Sequence, residues 1–139
     1  GSEVATSSSI TSLARNNDPI LDYVIIRDLT LAFLGAEAAL RDAEAYLKEA
    51  GLPPFDGSVP GLIGQLASPG SAAYWSKYDW TNHSRQSGTT LAGLKEQPRY
   101  VIEALAPQPD LFRVTARSTG GSGTALVILQ STVQRSDPE

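Results

Sequence analysis

His83 is the one histidine in the chain, and Ser84 follows it directly. A serine activated by an imidazole would need Ser84, or a distant serine, together with an aspartate, and adjacent residues do not supply that geometry. His83 therefore reads as an exposed loop histidine. The chain has no cysteine and no second histidine, so the ligand set of a zinc site is missing. Asp18 and Asp22 could touch a metal from one helix face, but no third ligand presents itself. Asp56 and Asp79 are too isolated to name as an acid and base pair. Asn82-His83-Ser84 matches a glycosylation acceptor, a three-residue pattern that carries little information. Gly120-Gly121-Ser122-Gly123 imitates a phosphate cradle, yet no Lys follows and Ala125–Leu129 looks like a strand, which predicts a turn. The residues predict no catalytic site, no metal and no cofactor, and the chain is read as a non-enzyme.

Tyr74, Trp75, Tyr78 and Trp80 form the remaining cluster with chemical potential. Four aromatics in one loop can make a surface platform for a sugar or a protein. They can equally cap the end of a core beneath a long loop.

Those candidates sit between two kinds of element. Leu29–Ala50 reads LTLAFLGAEAALRDAEAYLKEA, with apolar residues at Leu29, Phe33, Ala36, Leu40, Ala43 and Leu47. The alternating spacing of four and three draws one seam along a helix, predicted to pack on a sheet. The small residues Ala32, Ala36, Ala39 and Ala43 would permit close helix approach, within the subunit or with neighbours. Glu37/Arg41 and Glu44/Lys48 are spaced four apart with the acid first, the favourable order. Asp18-Pro19 fits a helix start, with Asp as N-cap and Pro at the first helical position, unless Ile10–Asn17 is helical too and Pro19 kinks it. Gly51 suits the C′ position, and Pro53-Pro54 forbid continuation. A helix over 18–50 would be about 50 Å long, against a diameter of roughly 37 Å for a compact body of this size. Its N-terminal end should project, and Ile20, Tyr23, Val24, Ile25 and Ile26 become candidates for contact with a partner or a preceding segment.

Residues 51–98 are expected to be an irregular loop region, with Ser58 and Pro60 opening a short helix through Leu62, Ile63 and Leu66. From Arg99 the apolar period changes to two. Tyr100–Leu105 is a predicted strand. Phe112, Val114 and Ala116 alternate with polar neighbours in a second, and Ala125–Val133 returns as a third after the glycine turn. The fold class is α+β: a long N-terminal helix on a C-terminal antiparallel sheet, with 3–139 as one domain and the sheet over 99–135.

The 139 residues carry a formal net charge of -4, which attracts neither nucleic acid nor anionic lipid. No apolar run approaches the roughly 20 residues of a membrane span. Methionine is absent, and Gly1-Ser2 reads as a scar of tag cleavage, so the chain is expected to be a piece of a longer protein.

GAEAALRDAEAYL at Gly35–Leu47, QPRYVIEAL at Gln97–Leu105 and FRVTARSTGGSGTALVILQSTVQR at Phe112–Arg135 together resemble the PilX-type minor pilins of bacterial type IV pili. The resemblance implies a type IV pilin-like fold, with 51–98 in the place of the variable αβ-loop region. It implies a prepilin whose N-terminal hydrophobic helix anchors it in the inner membrane, a periplasmic globular domain, and later a place in the extracellular filament. It further implies a part in priming pilus assembly at a tip or initiation complex with other minor pilins and the major pilin, where a tip adhesin can be a partner. Pro19–Ile26 is more apolar than that family pattern leads one to expect. The disulfides of many pilins cannot form here, so packing alone must hold the sheet. Two rivals remain at this point: a minor pseudopilin of type II secretion with the same architecture, and a periplasmic carbohydrate-binding module using Trp75 and Trp80.

Overall fold

The computed structural model describes residues 3–5, 19–66, 74–75, 77–88, 90–94, 96–105, 110–121 and 125–135, with the side chains of 3–5 and 19–28 outside the description. The elements follow in the order β1 (Glu3–Ala5), α1 (Pro19–Leu47), β2 (Leu62–Gly64), β3 (Arg85–Gln86), β4 (Arg99–Ala104), β5 (Leu111–Thr119) and β6 (Leu126–Gln134). A helix lies across a sheet, as the two periodicities predict.

The three C-terminal strands form an antiparallel meander, β4 against β5 and β5 against β6. The hairpin between β5 and β6 closes where Gly120 N–H donates to Ala125 O at 3.1 Å. The sheet order is β1-β6-β5-β4-β2, with β3 also on β4. Two features differ from the predicted antiparallel C-terminal sheet. β1 lies before the helix in sequence and pairs antiparallel with the end of β6. β2 runs parallel to β4, so the sheet is mixed.

β2 also replaces the short helix expected from Ser58 and Pro60. Gly61 adopts φ +85°, where a Cβ would meet Arg85 N at 2.8 Å, and this reverses the chain immediately before Leu62. Leu62 N–H returns to Val59 O at 3.0 Å, and Ile102 N–H reaches Gly61 O at 2.7 Å. An open edge of β4 thus takes up the backbone that a helical turn would have used internally.

α1 begins at Pro19, the first helical position, and continues unbroken for 29 residues; Asp18, its proposed cap, lies outside the described residues. Its length is about 44 Å, against about 30 Å for the nine-residue strands β5 and β6. It ends at Leu47, a little before the predicted end. Lys48 N–H and Glu49 N–H bond Ala45 O and Tyr46 O in a tightened last turn, at 3.1 and 3.0 Å, and Gly51 takes φ +72° just beyond.

The helix face on the sheet is Ala32, Ala36, Ala39, Ala43 and Leu47, all essentially inaccessible. The predicted seam is displaced by about 40° around the helix: Leu29, Phe33 and Leu40 are half-buried along one side of it. Small side chains let the backbone approach the sheet closely, and the larger residues then fill the angle beside it. Gly35 marks the closest approach, because a Cβ there would lie 2.9 Å from Ser118 Cβ and 3.1 Å from Leu94 Cδ1. Beneath the helix lie Tyr100, Ile102, Phe112, Val114, Ala116 and Val133, with Phe55 tilted against Phe112 at 5.0 Å.

The sheet's opposite face is also covered. Trp75, Trp80, Val101, Leu126 and Ile128 make a second core with Ile63, Leu66 and Tyr78. Within that layer Glu103 is fully buried and receives a two-pronged guanidinium, Arg113 Nε to Oε1 at 3.0 Å and Nη2 to Oε2 at 2.8 Å. Leu66 N–H adds a third donor to Oε2 at 3.2 Å. The fork, the extra donor and the partial exposure of Arg113 offset the cost of desolvating the carboxylate.

Candidate assembly interface

The two flanks of α1 differ in what covers them. On one, the segment around β3 seals the helix to the sheet. Arg85 lies 4.4 Å from the centre of the Tyr46 ring and its Nε donates to Tyr100 Oη at 3.1 Å. Ser87 Oγ donates to Asp42 Oδ2. Leu94 closes over Gly35 further along. A cation over a ring and two polar ties across elements hold this loop in place.

On the other flank Leu29, Thr30, Phe33 and Val127 line an apolar groove of about 260 Å³, open among the described residues. Leu34, next around the helix, is half exposed, the most exposed large aliphatic side chain among the described residues. Glu44 lies on this flank too, eleven residues beyond Phe33 and so nearly in line with it. Burial raises its carboxyl above the ordinary value, against the lowering effects of Lys48, Ser131 and Arg41. Apolar side chains left open beside a charged helix surface are what a docking face requires. Leu34 escapes the four-and-three spacing because it falls outside the seam. Its signal is an apolar residue where the outer face should be polar.

The candidates of the helix divide accordingly. Ala36, Ala43 and Leu47 are fully buried on the sheet, while Leu29, Phe33 and Leu40 pack beside Ala32, Ala36, Val127 and Leu129 under the same helix. Ile20, Tyr23, Val24, Ile25 and Ile26 belong to α1, with side chains outside the described residues. Glu37 and Arg41 approach to 3.9 Å on the exposed face, a contact of little energetic weight.

The aromatic cluster is not a surface platform. Trp75 and Trp80 are buried and only Tyr74 is substantially exposed. The indoles lie 5.8 Å apart, Trp80 Nε1 donates to Trp75 O at 2.7 Å, and Tyr78 Oη donates to His83 O at 2.9 Å. Burial pushes the Tyr78 phenol up to about 12, with Tyr74, Glu103 and Asp79 adding to it. The reason is topological. The loop lies over the far face of the sheet, whose Val101, Leu126 and Ile128 need covering, and stacked sugar would need those same ring faces.

The polar candidates are spent locally. Ser84 Oγ donates to Trp80 O and accepts from Arg99 Nε, so this hydroxyl is committed. His83 is exposed, with Nε2 3.8 Å from Asp79 Oδ2. Asp79 is held below the carboxylate range chiefly by the Asn82 side chain, and Asp56 by that of Ser58. Among the described residues no group of three or more His, Cys, Asp or Glu is placed to hold a metal. No described helix is long and apolar enough to cross a membrane. Asp22 belongs to α1, but its side chain, like Ser122 and Gly123, lies outside the described residues.

A search of curated proteins and a search of solved structures each return no match. The family model described as the C-terminal part of the type IV pilus assembly protein PilX matches residues 45–135, well over half of the chain. The match takes in the last of α1, the loop region with its buried tryptophans, and the meander. With the helix-on-sheet architecture, it establishes that the chain belongs to the PilX family of type IV pilus assembly proteins.

Proposed function

We propose that this protein is a minor pilin that takes part in priming type IV pilus assembly, in a tip or initiation complex with other minor pilins and the major pilin. The observation that carries the reading is the open apolar flank of α1 in a chain of this family. Leu29, Phe33 and Val127 border a groove, and Leu34 stands exposed beside it. Burial of such a surface against a neighbouring helix supplies association energy in proportion to its area. Membership of the family supports a second element of the proposal: in the whole protein a hydrophobic helix anchors the subunit in the inner membrane, with this domain in the periplasm. The protein acts by assembly and not by catalysis, in keeping with the committed Ser84 and the exposed His83.

The test is complementation in a strain lacking the gene. The full-length gene should restore surface pili. The same gene carrying Leu34→Asp should not, although its globular domain melts within a few degrees of the unmodified one. Because the chain has no cysteine, Leu34→Cys also places a single crosslinking thiol on the groove. Photocrosslinking of another pilin subunit through a maleimide-linked probe on that thiol is expected. Normal piliation by Leu34→Asp, together with no capture, rejects the proposal.

A further inference from the structure

A second candidate site lies across the sheet from α1. The register of β4 and β5 sets Arg99 directly opposite Arg117. Both line a pocket of about 250 Å³ with Trp80, Thr81, Glu96 and Gln97. Like charges directly opposed across two strands repel and destabilise the pair. Here the compensation is incomplete. Arg99 spends its guanidinium on Ser84, Nη2 donating to the carbonyl at 3.1 Å. Arg117 Nη1 reaches Glu96 Oε2 at 3.3 Å, and the Glu96 side chain is 59% exposed. Arg117 Nε is buried and has no hydrogen-bond partner. A buried guanidinium N–H left unpaired is costly and rare. Two cations thus face one exposed carboxylate.

The walls narrow the ligand. Trp80 is buried and its N–H is already bonded, so it offers no ring face on which a sugar could stack. Gln97 is engaged through both amide atoms with the backbone of Leu91, at 2.9 and 3.0 Å. What the pocket carries beyond these bonds is one cation more than the single carboxylate of Glu96 balances, and such an excess matches a carboxylate. We infer that the Arg99–Arg117 pocket docks a carboxylate side chain on an acidic peptide segment of a protein partner. That carboxylate competes with Glu96 for the outer edge of the Arg117 guanidinium. The site is separate from the α1 groove, and its test does not depend on the pilus reading.

The test uses the whole chain and a capped tetraglutamate peptide, with capped tetraglutamine and free glucuronic acid as comparisons. Binding is read from the NMR signal of the Arg117 Nε–H and from tryptophan fluorescence. The glutamate peptide should move the Nε–H signal, and its affinity should fall as salt rises. Arg117→Gln should weaken it by about tenfold and Arg117→Lys by less. Glu96→Gln, an exposed change that leaves the fold intact, should tighten it several-fold by removing the competitor. Equal binding of the glutamine peptide, no tightening in Glu96→Gln, or no binding at all would each overturn the assignment. Preference for glucuronic acid would overturn it in favour of an acidic sugar.

Discussion

Among the described residues, one flank of α1 is finished by its own chain and the other is not. Along the β3 flank, Arg85 is held between Tyr46 and Tyr100, Ser87 ties to Asp42, and Leu94 covers Gly35. Along the β6 flank, Leu29, Phe33 and Val127 border a groove that no described residue covers. Both flanks belong to one helix on one sheet, so helix propensity and sheet packing cannot explain the contrast. The difference teaches where the fold is self-sufficient and where it leaves apolar surface for another molecule.

The largest expected effect tests the sealed side at its tightest point. Gly35→Ala should destabilise the chain by about 1–2 kcal/mol in urea unfolding. Overpacking costs about 1–3 kcal/mol, and a Cβ only 2.9 Å from Ser118 Cβ puts this site in the upper half of that range, while the better helix propensity of alanine returns about 1 kcal/mol. An unchanged or raised midpoint would mean that the helix does not approach β5 so closely. Arg85→Ala removes a ring contact and a hydrogen bond, and should cost about 1 kcal/mol by the same measurement.

The open flank should respond in the reverse manner. Leu34→Ser should shift stability by less than about 0.5 kcal/mol, because half of the side chain is already in water, while association with partner subunits falls. Comparable losses from Leu34→Ser and Arg85→Ala would erase the distinction between the flanks. Glu44 adds a pH-dependent version. Burial raises its folded carboxyl above the ordinary 4.5, so the folded state holds this proton more tightly than the unfolded state. The associated stability is present at acid pH and lost as pH rises through the folded value. Glu44→Gln should therefore melt slightly higher than the unmodified chain at pH 7, and the gap should close as pH falls past 4.5. The smallest effect is expected at Arg41→Gln, where the exposed 3.9 Å contact with Glu37 should leave the melting temperature nearly unchanged.

Much of the architecture is legible in the residues, for reasons that differ by element. The alternation at Phe112, Val114 and Ala116 locates β5, since period two has one structural meaning in a strand bounded by turns. The four-and-three spacing locates α1 but misjudges its orientation by about 40°, because hydrophobicity ranks leucine above alanine while close packing against Ser118 favours the small residues. β1 and β2 are hidden for another reason: three-residue strands have no period to detect, and their partners lie far away in sequence. The burial of Trp75 and Trp80 depends on the far face of the sheet, which local sequence does not reveal. At the candidate sites, Leu29 and Phe33 are visible through the seam and Leu34 only as an exception to it. Arg99 and Arg117 become a pair only once the β4–β5 register is known.

Arg135, one residue after β6, donates to the carbonyls of Leu47 and Glu49 at the C-terminal end of α1. Its backbone N–H bonds Asp110 O at 2.7 Å. The guanidinium satisfies carbonyls that a helix end leaves bare, and it also makes a mechanical clasp. Tension applied along α1 reaches β6 through this residue without first crossing the long loop. β6 in turn is bonded to β5 along nine residues, which must be sheared together rather than unzipped one by one. A subunit hauled by its helix would thus carry the load on its longest strand pair.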